Sequence, residues 1–389
     1  MQLAIFIFGV AIGANLGVFL VYTNYFSNSG TNRIVSRSIF RKIFPLYNDI
    51  LSNSKPTHRA PIVLYSTPTS PPPILGSPFY KHECTPKYGK IALLHFTSDY
   101  KYTNRTVWNA VQSVRCYAQM RGYAVYEVIE DFGDLSNECK TFKGLLFKRH
   151  CLASQLLLRY SYVVFLDADS GVINPFHCFE EYINPNVSLH FLLRVRTGEI
   201  QAGHYIAKNT SFARQFLMDW ASIDQGSDQD GLRTQLILKV LTQYEKKSCE
   251  KLKGWHITKC IMGQLRKRST YMGRKVQFYS RGQSFVRDAE ATDFFWSHTD
   301  FLLHALKPHY DDMYGRHVDD PMFNRKLRRS DCNDHVWNIP YARQYIVDQN
   351  NMTRMWRSFE LSWLKKWKRR TALMTNISAC FPNCPSVIV

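Results

Sequence analysis

The stretch from Tyr162 to Pro175, reading YVVFLDADSGVINP, constrains this chain more than any other. Val163, Val164, Phe165 and Leu166 form a short, unbroken apolar run that is rich in β-branched and aromatic side chains. A run of this length without alternation predicts a strand covered on both faces, as in a parallel sheet. It stops at Asp167-Ala168-Asp169-Ser170-Gly171, and Asn174-Pro175 breaks any regular structure beyond. In open α/β sheets, ligands bind in the crevice at the strands' carboxyl ends. Two carboxylates one residue apart at such an edge make a hard-oxygen site for a divalent cation, which can in turn hold a diphosphate. An acidic turn with no ligand is the plain alternative, and the buried strand before it together with the Asn-Pro after it favour the metal site.

The flanking sequence repeats one pattern. Lys90 to Thr97 reads as a buried strand, and Asn104 to Met120 has helical spacing with Gly122 as its C-cap. Tyr123 to Ile129 reads as a second strand, and Lys143 to Arg159 as a second helix leading into the strand that ends at Asp167. This β-α-β-α-β order predicts an α/β fold with a mostly parallel sheet flanked by helices. Further strands are expected at Leu189 to Val195 and Gly203 to Ala207. Helices are expected at Phe212 to Ile223, Leu232 to Leu241 and, with a basic face, Thr353 to Arg370.

Before this body the chain changes character. Residues 3–22 carry no charge and are long enough to span a bilayer, as a retained anchor or a cleaved signal peptide. Residues 55–86 hold eight prolines and read as a semi-rigid stem. The expected organisation is an apolar segment at 1–24, a stem at 25–87, the folded domain at 88–312 and an extension at 313–389. Arg33, Arg37, Arg41 and Lys42 after the apolar segment argue for a cytosolic body. Five Asn-x-Ser/Thr sequons, at Asn104, Asn186, Asn209, Asn351 and Asn376, and ten cysteines argue for the secretory lumen and outweigh them. The cysteines form no zinc spacing, so disulfides or buried thiols are expected. A net charge of +19 points to a phosphate-bearing partner or a membrane surface. Nucleic acid is not expected, since zinc-finger, RNA-recognition and basic-zipper signatures are all missing.

Four blocks over roughly residues 88–310 resemble the GT-A fold glycosyltransferases that use nucleotide-diphospho-sugars. The closest likeness is to the nucleotide-diphospho-sugar transferase family of secretory-pathway proteins, related to Golgi α-galactosyl- and α-mannosyltransferases and to glycogenin-like retaining enzymes. In FLDADSGVINP the resemblance implies that Asp169 binds Mn²⁺ or Mg²⁺ and that Asp167 contacts ribose and metal. In Gln201-Ala202-Gly203-His204-Tyr205-Ile206-Ala207-Lys208-Asn209 it implies a strand lining the sugar pocket, with Gly203 where backbone meets ligand. Asp228-Gln229-Asp230-Gly231-Leu232 is similar to an element opening a helix, whose Asp and Gln meet the transferred sugar. Asp300-Phe301-Leu302-Leu303-His304-Ala305-Leu306-Lys307-Pro308 looks like the late element whose His completes the metal site and whose Lys meets the diphosphate. Ala305 and Leu306 stand where relatives often carry Gly and Trp, Arg233 where glycogenin-like enzymes have Asn, and Gly198 where an aromatic is expected.

The implied activity is metal-dependent transfer of a hexose from a nucleotide-diphospho-sugar to a glycan or glycoprotein acceptor in the Golgi lumen, with retention of configuration. Lys148 and Arg149 read first as a solvated helix face, and second as groups reaching a diphosphate or a carboxylate. Trp356, Trp363 and Trp367 read as the packed side of a helix, with acceptor stacking as the second reading. Two rival functions stay open. One is a haloacid-dehalogenase-type phosphatase with Asp167 as nucleophile. The other is a nucleotide-sugar-binding protein of the same fold without turnover.

Overall fold

A computed structural model of the chain describes residues 87–377, apart from short internal stretches such as 98–105, 130–136 and 267–274, together with 387–388. The expected anchor at 3–22 and stem at 25–87 therefore lie outside the described residues, save Lys87. No helix among those described is long and apolar enough to cross a membrane.

The β-α-β-α-β order holds. β1 (Ile91–Thr97), α1 (Trp108–Arg121), β2 (Ala124–Ile129), α2 (Leu145–Leu156) and β3 (Tyr162–Asp167) follow one another, with both β2 and β3 parallel to β1. Gly122 caps α1 in the left-handed region, at φ 73°. After a two-residue strand β4 (Gly171–Val172) come β5 (Leu189–Leu193), β6 (Ile200–Lys208), α3 (Ser211–Ala221), α4 (Asp228–Lys239) and β7 (Val276–Phe278). A closing strand, Val387–Ile388, completes a seven-stranded sheet in the order closing strand, β7, β5, β6, β3, β1, β2. Only β6 and the closing strand run against the other five, so the sheet is mixed but mostly parallel.

Helices cover both faces. On β3, Val163 and Phe165 face α2 and α3 with Leu152, Phe216 and Trp220, while Val164 and Leu166 face α1 with Val114 and Tyr117. This two-sided burial is why β3 carries no polar residue before Asp167. α4 starts at Asp228 rather than Leu232, because the Ser227 hydroxyl accepts a hydrogen bond from Asp230 N at 3.2 Å and caps it. The C-terminal α5 (Gln349–Trp367) likewise starts early, where the Asp348 carboxylate accepts from Asn351 N at 2.8 Å.

Residues beyond 312 close on the same body. Cys332 is disulfide-bonded to Cys116 of α1, and the Tyr341 hydroxyl donates to Val172 O at 2.8 Å. Two more disulfides join Cys139 to Cys151 and Cys249 to Cys260. On α5, Glu360 forms a buried ion pair with Arg281, and Trp356 is fully buried against Met352 and Val195, under the Arg287 guanidinium. That burial removes Trp356 from acceptor stacking; the side chains of Trp363 and Trp367 lie outside the described residues.

His190 on β5 gives the fold an acid limit. It is fully buried, its Nε2 accepts from Asn184 N at 3.0 Å, and burial pushes its pKa down to about 4. The unfolded chain, with an ordinary imidazole, takes up this proton first as pH falls. Stability from this group is therefore complete above pH ~6.5 and is lost toward pH 4, on the order of 3 kcal/mol in all. Denaturant unfolding of His190→Gln from pH 7 to 4.5 should show a shallower decline than the parent; parallel declines would remove His190 as a cause.

Candidate functional site

At the end of β3 the chain turns sharply, with Ser170 N donating to Asp167 O at 3.0 Å. β4 then pairs antiparallel with β9 (Leu302–His304), Gly171 opposite Leu303 and Val172 opposite Leu302. A side chain at Gly171 would lie 3.0 Å from the Ala110 Cα and 2.9 Å from the Ser113 Oγ, so only glycine lets this strand pair sit on α1. Leu306 N donates to Asp169 O at 2.8 Å. The two acids and His304, far apart in sequence, are thereby drawn together: His304 Nε2 lies 3.3 Å from Asp169 Oδ1. Ala305, just beyond, has φ 71°, which costs a non-glycine residue about 1–2 kcal/mol. A glycine at this place would meet that backbone demand without the strain.

β9 also runs parallel to β8 (Val286–Asp288), in a register that sets Asp288 beside His304. His304 Nδ1 donates to Asp288 Oδ1 at 2.9 Å. Burial disfavours the imidazolium, but Asp169 and Asp288 on either side win and raise the His304 pKa well above its ordinary value. The Asp288 carboxyl is held well below the carboxylate range: the His304 hydrogen bond and charge overcome its burial.

Asp167 faces β6. A Cβ on Gly203 would fall 1.9 Å from Asp167 Oδ2, so the glycine makes room for a carboxylate of the chain itself. Arg149 Nη1 donates to Asp167 Oδ1 at 2.7 Å, and the other arm of the guanidinium pairs with Asp228. Arg149 is buried, with its guanidinium 5.0 Å from the Phe165 ring centre. This overturns its first reading as a solvated helix residue, because α2 turns that side inward to two carboxylates. Against burial, the hydrogen bond from His150 and the Arg149 charge keep Asp228 ionised to well below the usual range. His150 is itself stacked on Trp220 at 3.5 Å, and burial lowers its pKa to about 4.

Gln229 sits beside this group with its amide committed to β6: Oε1 accepts from Ala202 N at 3.1 Å, and Nε2 donates to Ile200 O at 2.5 Å. It therefore acts on the site through the strand it holds. Lys307 lies outside the described residues. Arg233 is paired with Glu199 and Asp230.

Two participants escaped the sequence reading. His204 is buried on β6, and one ring nitrogen of it, one of His304 and an oxygen of Asp167 all lie within 4.8 Å of one another. Asp288 belongs to a three-residue strand with no periodic signal. Donor atoms on one ion with bonds of about 2.1 Å lie up to about 4.2 Å apart, so shifts of a few tenths of an ångström bring this set to coordinating distance. Carboxylate oxygens and imidazole nitrogens suit a divalent transition metal, and an outer carboxylate on His304 is the usual support of a ligating imidazole. The phosphatase arrangement fits less well, since it places its acids on the first strand, whereas here β1 and β2 precede them.

Gly203→Ala tests the packing that shapes the site. The added methyl must displace the Asp167 carboxylate, breaking its Arg149 contact. The variant should fold, with a loss of a few kcal/mol or less, and should lose any thermal stabilisation the parent gains from Mn²⁺. A variant that keeps the full Mn²⁺ shift would show that Asp167 is not needed where it stands.

No curated protein sequence matches this chain. Among solved structures, a match is the crystal structure of a glycosyltransferase involved in the glycosylation of the major capsid of PBCV-1. It is 13% identical, with a TM-score of 0.36, and the match covers 55% of this chain and 93% of that one. Residues 114–317, which hold β3 and the strand with His304, match the family model described as a protein of unknown function, DUF273. The match takes in more than half of the sequence, and the chain belongs to the DUF273 family.

Proposed function

We propose that this chain is a metal-dependent glycosyltransferase that moves a hexose from a nucleotide-diphospho-sugar to a glycan or glycoprotein acceptor. The observation that carries this reading is the convergence of Asp167, Asp169 and His304 at the carboxyl end of a buried strand. Electrostatics adds a second support. Asp167, Asp169, Asp228 and Asp288 stand against Arg149 and the His304 imidazole, so a diphosphate meets net repulsion unless a divalent cation offsets the local charge. The cation, Mn²⁺ or Mg²⁺, would be held by Asp167, Asp169 and His304. When bound, it supplies Lewis-acid stabilisation of the diphosphate leaving group.

The remaining roles fall to the chain's own groups. Arg149 fixes the rotamers of Asp167 and Asp228 together and offsets part of their charge. Asp228, kept ionised, stabilises positive charge developing at the anomeric carbon. Gln229 and Gly203 set the floor of the sugar pocket, one by holding β6 and the other by leaving space. Lys307 takes the diphosphate. Retention of configuration follows the likeness of Asp228-Gln229-Asp230 to the retaining enzymes. Three disulfides among the described residues, with exposed sequons at Asn186 and Asn209, support an oxidising, secretory setting for the body. Residues 3–22 would anchor it to the Golgi membrane.

Incubation with a panel of nucleotide-linked hexoses should reveal a donor whose hydrolysis or transfer stops on chelation and returns with Mn²⁺. Asp169→Asn should lower kcat/KM by about a hundredfold or more. Turnover that survives both chelator and substitution would reject the assignment.

A further inference from the structure

The two imidazoles near the acidic turn are wired to one carboxylate, and this wiring decides which nitrogen each can offer. Asp288, being ionised, only accepts hydrogen bonds. It takes one from His304 Nδ1 at 2.9 Å and one from Gln201 Nε2 at 3.2 Å. The amide orientation of Gln201 follows, because its nitrogen must face the carboxylate and its oxygen the other way. That oxygen lies 3.0 Å from His204 Nδ1 and can only accept, so His204 carries its proton on Nδ1. The Nε2 of His204 is left with its lone pair, which accepts from the Ser170 hydroxyl at 2.5 Å. Asp288 thus sets His304 directly and His204 through Gln201, with each Nε2 turned to the turn that carries Asp167 and Asp169. The two rings stand 4.8 Å apart, centre to centre.

We propose that His204 is a fourth ligand of the metal site, so that two imidazole nitrogens and two carboxylates select a first-row transition-metal ion over Mg²⁺ or Ca²⁺. This rests on the metal-site reading above and extends it. Mg²⁺ takes oxygen ligands in a near-octahedral shell and gives up water reluctantly, whereas imidazole favours the transition series. Ser170 then competes with the cation: its hydroxyl must release Nε2 for the metal to take that lone pair. Asp288 is a positioning residue for both ligands.

Electron spin-echo spectroscopy of the Mn²⁺-loaded full chain counts bound imidazole nitrogens without any need for turnover. Two ¹⁴N couplings are expected in the parent and one in His204→Gln. By calorimetry His204→Gln should weaken Mn²⁺ and Co²⁺ about tenfold or more while changing Mg²⁺ far less, and Asp288→Asn should weaken the transition metals about 10–100-fold. Ser170→Ala removes the competitor and should tighten Mn²⁺ several-fold; it keeps the test open if His204→Gln does not fold. A parent with bound Mn²⁺ and one nitrogen coupling, or a Ser170→Ala variant with unchanged or weaker binding, would overturn the role of His204 while leaving the site itself in place. A parent that binds no Mn²⁺ at all would overturn both.

Discussion

A two-residue antiparallel pairing, Gly171–Val172 against Leu302–Leu303, holds the site together. Without it the acidic turn after β3 would face solvent with no partner, and His304 would belong to a separate segment of the chain. Gly171 permits the pairing by letting β4 approach α1, and the Ser113 hydroxyl accepts from Val172 N at 2.9 Å to fix its height. The parallel addition of β8 then delivers Asp288 to the far side of the His304 ring. Three strands of two or three residues each would be unstable alone. They persist because Leu302, Val286 and Phe301 are buried in the same cluster as the large sheet's β3.

Bringing four carboxylates to one edge is costly, and the structure shows how the cost is met. Arg149 spans two of them, and the His304 ring lies between the other two. Buried ions in such an arrangement are tolerated only when each keeps a partner, and removing one partner leaves its neighbour stranded. That asymmetry ties the structural and chemical accounts together: the groups that make the edge stable are the same ones that set its charge.

Much of the fold was legible in the chain because its signals are local. The apolar run before Asp167, the glycine after α1 and the alternation of strands with helical spacing each follow from residues within one element. The acids were legible for the same reason, standing where a buried strand must end. His304, Gly203, Asp228 and Gln229 were reached only through likeness to a family, since no periodicity singles them out. What stayed hidden depends on tertiary register. Asp288 sits on a strand too short to leave a pattern, and His204 alternates along β6 like any core residue. Arg149 looks like any charged residue on a helix, and only the inward turn of α2 onto two acids reveals its partners. Ala305 is a further case, since nothing in the sequence shows that its backbone is left-handed.

We propose that Asp167 and Asp169 at the end of β3 and His304 at the end of β9 hold one cation between them. Anomalous diffraction at the manganese edge, on crystals of the chain grown with Mn²⁺, tests it most directly. The account predicts one dominant peak bonded to both Asp169 and His304 at about 2.0–2.3 Å. Manganese ordered elsewhere, with this pair left bridged to each other as they stand, would contradict it.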